Sequence, residues 1–318
     1  MRVEFHPEIF TRADQILEIH ELIQLFLRVQ HEWHIKPQDV ESAVAFFGRH
    51  FPTLAPVYAD LALKASVAQA WQAAGVAPLQ VSHTTIRDDV CDLRQPAVLL
   101  VEDEFSDRCF LLAICRVFDG EDVAEAAARQ HLDIRHGGGK DRAGKQASDA
   151  LTRFRRTPRV ALLLDSDRLA PGQVTRCHKV ADEVRALGAH VHVLELREAE
   201  NYAPNRVLAM VRPHHETSKK IKALKSLTPK QRGHFDMKKG FPGGRDGEPQ
   251  VPRGHGSLYD GVPDRTIELL RPGFGAGLTE LMMRAAAGGR LAESDFAGLG
   301  AEVVSELREL LSKLRKII

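Results

Sequence analysis

The chain of 318 residues has little of several features that would narrow its class. Its four cysteines include no CxxC pair, which argues against a disulfide framework and favours a reduced, cytoplasmic setting. Its fifteen histidines match no zinc-binding spacing. No apolar run approaches the length of a membrane span, and the acids within the first ten residues do not suit a signal peptide. We therefore expect no membrane partner.

The overall charge excludes equally little, because the net charge is only +1 and its distribution matters more than its sum. Residues 1–95 carry 8 Lys and Arg against 12 Asp and Glu, so this part does not suit a polyanion. The P-loop spacing G-x-x-x-x-G-K-[ST] of ATP-binding proteins is absent. The sequence therefore does not predict ATP binding. If the protein acts together with an ATPase, we expect that ATPase to be a separate chain.

The hydrophobic pattern predicts an α/β protein with three regions. Residues 1–95 read as a helical domain. Residues 96–210 alternate between short apolar strands and helices, which is typical of a mainly parallel sheet with helices on both faces. Residues 211–318 are helical and basic, and within them the stretch 239–256 is dense in Gly and Pro and is predicted to be a mobile loop.

Acidic residues follow the predicted strands at their carboxyl ends. The stretch VLLVEDE (98–104) ends an apolar run in three acids, and ALLLDSD (161–167) ends in two. Ligands of such sheets bind at the carboxyl ends of the strands. Carboxylates grouped there favour Mg²⁺ or Mn²⁺, although single acids in these places can also serve only to cap the helices that follow. The residues expected at this edge are Glu102, Gly137–Gly139, Asp165, Asp167, Glu198 and Glu200.

Basic residues offer a second pattern. The stretch 212–232 has seven Lys and Arg against one acid, which favours contact with a nucleic-acid backbone but also fits a solvated face. Lys140, after three glycines, could meet a phosphate together with backbone amides, or simply follow a tight turn. The candidate nucleic-acid-binding residues are Lys140, Arg212, Lys219, Lys220, Lys222 and Lys225.

Four segments in chain order resemble TOPRIM domains, especially those of OLD-family (overcoming lysogenization defect) nucleases and related phage-defence effectors. They are Glu102 with Asp107, Gly137–Lys140, Asp165 with Asp167, and Glu198-Ala-Glu200-Asn201-Tyr202. The last is the most discriminating. Asp103 stands where the family usually has glycine, and Ser106 where its helix-start acid normally lies, so the ligands of a second cation stay open among Asp103, Glu104 and Asp107.

The resemblance implies a Rossmann-like TOPRIM core and a metal-dependent nuclease, a cytoplasmic anti-phage effector acting on DNA in preference to RNA. It implies two Mg²⁺ or Mn²⁺ ions, the first held by Glu102, Asp165 and Asp167 and the second by Asp107, Glu198 and Glu200. The segment HFDMKKG (234–240) looks like the part of these nucleases that supplies a lysine near the metals, either Lys238 or Lys239. A separate ATPase or sensor protein and a homo-oligomer are the further expected partners.

Two other interpretations stay open. VLLVEDE also resembles the first strand of response-regulator receiver domains, in which Asp167 would accept a phosphoryl group; this chain would then be a non-cleaving regulatory module, as would a degenerate TOPRIM domain. A topoisomerase-like or primase-like enzyme is the other alternative. Topoisomerase chemistry needs a tyrosine nucleophile in a large companion domain, whereas this chain has three tyrosines and no such domain.

Overall fold

The computed structural model describes residues 1–69, 77–242, 251 and 253–318. These residues form a mixed α/β structure with two sheets, both composed only of parallel strands. Within the described ranges, no helix combines the length and the apolar character needed to cross a membrane.

The first sheet lies in the N-terminal region and has the strand order β2-β1-β3. Its strands are β1 (Arg2–Phe5), β2 (Glu32–His34) and β3 (Leu79–Val81). The helices around it are α1 (Ile16–Leu27), α2 (Val40–His50), α3 (Ala55–Gln69) and α4 (Ile86–Arg94). The region predicted to be helical contains these four helices and, in addition, a sheet of three short strands that the hydrophobic pattern did not predict. Strands of three or four residues are too short to show the alternation that identifies a strand.

The second sheet has the order β5-β4-β6-β7 and confirms the strand–helix alternation predicted over 96–210. Its strands are β4 (Ala97–Val101), β5 (Leu132–His136), β6 (Val160–Leu164) and β7 (His190–Val193). The intervening helices are α5 (Glu104–Val117), α6 (Glu121–Ala128), α7 (Lys140–Leu151) and α8 (Arg176–Ala186).

Both faces of this second sheet are covered, which explains the unbroken apolar runs of β4 and β6. Leu99 and Val101 belong to the core on the side of α5 and α6, whereas Val98 and Leu100 belong to the core on the side of α7 and α8. Burying a side chain of this size contributes about 1.5–3 kcal/mol. A strand that is buried on both faces has no position for a polar residue until it ends.

The C-terminal helices pack on the same face of the second sheet as α5 and α6, because their buried residues share one core with Leu99 and Phe110. They are α9 (Asn205–Leu208), α10 (His214–Lys225), α11 (Pro229–His234), α12 (Asp264–Leu270), α13 (Leu278–Ala287), α14 (Glu293–Ala297) and α15 (Val303–Arg315). Residues 243–250 and 252, the middle of the predicted Gly- and Pro-rich loop, lie outside the described residues.

The strand order creates a switch point beside β4. From β4 the chain passes to β5 on one side, and later returns to β6 on the other side. The segments that leave β4 and β6 therefore diverge, and in open parallel sheets ligands bind in the crevice between two such segments. Glu102 follows β4 and Asp165 follows β6, so the acids expected from the sequence flank this crevice.

Candidate active site

Glu102 occupies the turn between β4 and α5, and its neighbours fix that turn. Asp103 caps α5 by accepting the Ser106 N–H at 2.8 Å, and the Asp103 N–H donates to Asp107 Oδ2 at 2.9 Å. Asp103 and Asp107 thus each satisfy one backbone N–H at the helix start. Glu102 takes no part in these bonds: its Oε1 is buried and accepts no hydrogen bond within the described part of the chain. Burial, helped by the charge of Asp167, raises the pKa of Glu102 to about 7.

Asp165 lies across the crevice, after β6. Its Oδ1 accepts the N–H of Ala199 at 3.0 Å, which ties the end of β6 to the segment that follows β7. Burial raises the pKa of Asp165 well above its usual range, and neighbouring negative charges raise it further. Those charges belong to Asp107, Glu102, Glu200 and Glu198. The acids predicted from three strand ends are thus close enough to act on one another.

Asp167 is held in an unusual conformation that turns it toward Lys140. Its φ of +52° is left-handed, a region that residues other than glycine seldom adopt, and its N–H donates to the Arg197 carbonyl at 3.0 Å. Its carboxylate forms an ion pair with Lys140 Nζ. Lys140 opens α7 directly after Gly137–Gly139, and a Cβ added at Gly137 would lie only 2.8 Å from the Val101 carbonyl oxygen. The glycines therefore allow the close approach that delivers Lys140 to Asp167.

Lys238 reaches the two glutamates that follow β7. Its Nζ lies 3.2 Å from Glu198 Oε2 and 3.1 Å from Glu200 Oε1, and both glutamates are buried. Burial alone would lower the pKa of Lys238, but the charges of Glu200 and Glu198 outweigh it and keep the pKa above its usual range. Lys239 is exposed. Of the two lysines that the sequence left open, only Lys238 is brought to the carboxylates.

Asn201 explains how Lys238 comes to lie there. Its amide nitrogen donates to the carbonyls of Arg232 at 3.0 Å and Phe235 at 2.9 Å. These two bonds hold the segment that leads into Lys238 against the 3₁₀ turn Ala199–Tyr202, which carries Glu200. The E-x-E-N-Y stretch thus supplies both the acids and the anchor for their lysine.

Two groups at the site were not found by sequence reasoning. Arg197 donates to Glu198 Oε1 at 3.1 Å and to Asp236 Oδ2 at 3.0 Å. Ser106 Oγ lies 3.5 Å from Glu200 Oε1 and 3.0 Å from the Thr279 hydroxyl. The only signal in the sequence was the place of Ser106 where an acid was expected: this hydroxyl faces Glu200 instead.

Tyr202 is buried beneath the site and is bound to the C-terminal helix. Its hydroxyl donates to the carboxylate of Glu306 on α15 at 2.6 Å, and the Glu195 N–H donates to Glu306 Oε1 at 2.7 Å. Glu306 and Tyr202 are buried. The C-terminal helix thereby fixes the segment that leads from β7 to the site glutamates.

The basic residues of α10 divide into two kinds. Lys220 Nζ donates to the Gly273 carbonyl at 2.7 Å and lies 6.0 Å from the centre of the Phe274 ring, so it has a structural contact. The Phe274 N–H in turn donates to the Met237 carbonyl at 2.8 Å, which places α10 next to the Lys238 segment. The exposed candidates are Lys219, Lys222 and Lys225 on α10, and Arg212 just before it.

The donor chemistry fits a hard divalent cation, but the side chains are not arranged as a cage. Carboxylate oxygens are the preferred ligands of Mg²⁺ and Mn²⁺, and the buried Glu102 Oε1 has no hydrogen-bond partner among the described residues. In that same part of the chain, no group of three or more His, Cys, Asp or Glu side chains is placed so that it could hold a metal ion. Asp167 faces Lys140, and Glu198 and Glu200 face Lys238.

Comparison with known proteins adds no relative: no protein-family model, no curated protein and no solved structure matches this chain.

The raised pKa values predict a pH-dependent effect of divalent cations on stability. The folded protein holds protons on Glu102 and Asp107 up to about pH 7 and 6, above the unfolded values near 4. In EDTA, their contribution to the free energy of unfolding is therefore present below about pH 4 and is lost as pH rises through 6 and 7. A cation bound by these carboxylates would offset this loss. We expect Mn²⁺ to raise the melting temperature by several degrees at pH 8 and little at pH 5.

Thermal unfolding at both pH values, with Mn²⁺ and with EDTA, measures this effect. Glu102→Gln is the matched control, because it removes one titrating charge and should reduce the shift at pH 8. A shift of equal size at pH 5 and pH 8 would show that the cation does not bind at these carboxylates.

Proposed function

We propose that the protein is a divalent-metal-dependent nuclease with a TOPRIM-type core, hydrolysing phosphodiester bonds of nucleic acid, with DNA favoured and RNA possible. The observation that carries the proposal is the convergence of Glu102, Asp165, Glu198 and Glu200 at one switch point, with Lys238 between the last two. Several buried carboxylates close together destabilise the fold, and a purely structural role does not account for that cost. Their presence together favours a site that receives positive charge.

The residues divide the work of cleavage among them. We assign Glu102, Asp165 and Asp167 to one Mg²⁺ or Mn²⁺, and Asp107, Glu198 and Glu200 to a second. Two ions held by these carboxylates would supply an activated water and would neutralise charge on the scissile phosphate. We also assign Glu102 the uptake of a proton during the reaction, because its buried Oε1 has no hydrogen-bond partner within the described residues. Lys238 is placed to stabilise negative charge on the reacting phosphate.

The simplest test is degradation of plasmid DNA and of total RNA. Fragmentation with Mg²⁺ or Mn²⁺ and its absence with EDTA would support the proposal and name the substrate. Intact plasmid and intact RNA under both conditions would overturn it, provided that the sample has a cooperative melting transition.

The exposed face of α10 is the proposed path of the nucleic-acid backbone. Lys219 and Lys222 are exposed on this helix, which adjoins the Lys238 segment through Lys220 and Gly273. We expect the double variant Lys219→Glu, Lys222→Glu to weaken binding about equally for all sequences. It should also flatten the slope of log affinity against log salt by about two, because two fewer counterions are released.

Fluorescence anisotropy at four salt concentrations gives that slope. The control is Arg49→Glu with Lys64→Glu, which makes the same change of charge on exposed residues of the N-terminal region. If the control flattens the slope as much as the α10 variant does, the effect is one of net charge and α10 is not the path.

One contact favours the receiver-like alternative. Lys140 forms an ion pair with Asp167, and a lysine so placed would stabilise a phosphoryl group on that aspartate. In this alternative the chain signals without cutting. Incubation with acetyl phosphate and Mg²⁺, followed by mass spectrometry, tests it. A stable acyl phosphate on Asp167 together with absent nuclease activity would favour the alternative, whereas unmodified Asp167 in a cleaving protein would exclude it.

The biological setting that we propose is anti-phage defence in the cytoplasm. It rests on the resemblance of the E-x-E-N-Y and D-x-D segments to the OLD family and related effectors. In that setting a separate ATPase or sensor protein would trigger cleavage, and the chain could act as a homo-oligomer.

A further inference from the structure

Phe105 is conspicuous because of where it is exposed. About 66% of its surface is accessible, and it is the one aromatic among the large apolar side chains that lie exposed in the described part of the chain. It directly follows Glu102-Asp103-Glu104, in the first turn of α5. A phenylalanine left in water forgoes the stabilisation that burial of its ring would contribute. An exposed ring on this turn, where the next residue, Ser106, has its Oγ 3.5 Å from Glu200 Oε1, is therefore available to a ligand near the site.

The backbone on either side of Phe105 is fixed. The Ser106 N–H donates to Asp103 Oδ1 at 2.8 Å, and Asp107 Oδ2 accepts the Asp103 N–H at 2.9 Å. The Ser106 side chain is held in turn by the Thr279 hydroxyl of α13 at 3.0 Å. A ring on such a base loses little conformational entropy when a ligand packs on it.

The charges around Phe105 determine which part of a nucleic acid suits it. Asp103 and Glu104 are both exposed beside the ring and repel a phosphate. A nucleobase carries no charge and presents a flat aromatic face, so these acids do not repel it. Arg108 lies three residues further on and so on the same side of α5; it forms no ion pair with the described residues and can take the adjoining phosphate.

We propose that Phe105 stacks on an unpaired nucleobase next to the scissile phosphodiester. The substrate at this point is then a single strand, or a duplex with a frayed or extruded base, because a paired base already has both faces stacked on its neighbours. The inference rests on the proposed nuclease function and adds the form of its substrate. Stacking of bases on aromatic side chains is the usual way in which proteins hold single strands without reading their sequence.

The test measures binding of a fluorescein-labelled single-stranded oligonucleotide with Mg²⁺ on a Glu102→Gln background, which is not expected to cut. A second oligonucleotide of the same length carries abasic residues throughout. We expect Phe105→Ala to weaken binding of the normal strand on the order of tenfold, as loss of one stacked base does, and to leave the abasic strand unchanged. Phe105→Trp should restore the affinity, and Phe105→Leu, which is apolar but not aromatic, should not.

Two results would overturn the stacking proposal. One is equal weakening of the normal and abasic strands by Phe105→Ala. The other is full affinity in Phe105→Leu, which would indicate a merely apolar contact. If the wild-type protein cleaves nucleic acid and either result is found, the proposed nuclease function stands and the stacking proposal is wrong. A wild-type protein that neither cuts nor binds nucleic acid would instead remove the proposed function, and the stacking with it.

Discussion

We expect Glu102→Gln and Asp165→Asn each to lower the proposed rate of nucleic-acid cleavage by about a thousandfold or more. Each change keeps the size of the side chain and removes one negative oxygen donor. Losing a metal-binding carboxylate at such a site costs several kcal/mol of transition-state stabilisation, and each 1.4 kcal/mol is a factor of ten in rate. The measurement is initial rates on a labelled substrate at saturating Mg²⁺ and again at saturating Mn²⁺.

Stability should move in the opposite direction in these variants. Burial and neighbouring charges hold the pKa values of both carboxyls above their usual range, so each ionised group destabilises the metal-free protein at pH 8. We expect Glu102→Gln to melt at a higher temperature than the wild type in EDTA at pH 8. A residue with only a structural role would lose stability when replaced, so the combination of lost activity and gained stability distinguishes the two roles.

The matched control is Glu104→Gln. Glu104 is an exposed acid two residues further along the same segment, and its replacement makes the same chemical change outside the crevice. It should keep most of the activity and leave the melting temperature nearly unchanged. Near-wild-type cleavage by Glu102→Gln, or an equal loss in Glu104→Gln, would remove Glu102 from the catalytic site.

The second large effect is expected for Lys238→Met, which should lower cleavage by about a hundredfold and also destabilise the fold. The change removes the cation that lies 3.2 Å from Glu198 and 3.1 Å from Glu200, and leaves two buried carboxylates without it. Breaking a fully buried pair costs about 3–5 kcal/mol; we expect about 2–3 kcal/mol here, because Lys238 is partly exposed. Loss of a cation that stabilises the reacting phosphate accounts for the fall in rate.

Lys239→Met is the control for this prediction, since it removes the same charge from the neighbouring, exposed residue. Thermal unfolding in EDTA and initial rates with Mg²⁺ should both be close to the wild type. If Lys239→Met proves the more damaging of the two, Lys239 and not Lys238 is the lysine that meets the substrate. Lys238→Arg offers a further comparison, because it should recover stability better than activity.

The negative charges of the acids in the crevice are thus stabilised in two different ways. Asp167 has Lys140, and Glu198 and Glu200 have Lys238, whereas Glu102 Oε1 has no hydrogen-bond partner within the described residues. Because the lysines are attached to the protein and a metal ion is not, the first two sets stay stable without metal. Glu102 and Asp165 depend more on protonation or a cation, which is why the largest effects are predicted for them.

The sequence by itself determined the second sheet and the grouping of acids at its edge. Short, unbroken apolar runs such as Val98–Val101 that alternate with helical segments favour parallel strands buried on both faces, and parallel strands bring all their carboxyl ends to one side. Residues that directly follow these strands therefore meet, whatever the details of the helices between them. That is why Glu102, Asp165 and Glu198 were predicted to lie together and their charges act on one another in the structure.

Only the tertiary structure decided which neighbours those acids have. The choice between Lys238 and Lys239 depends on the Asn201 amide, which holds the carbonyls of Arg232 and Phe235. The hydrogen bond between Tyr202 and Glu306 joins residues that are 104 positions apart in the sequence. The first sheet was likewise identified only from the tertiary structure. The physical reason is the same in each case: these features depend on single long-range contacts or on strands of three or four residues, and neither leaves a periodic pattern in the sequence.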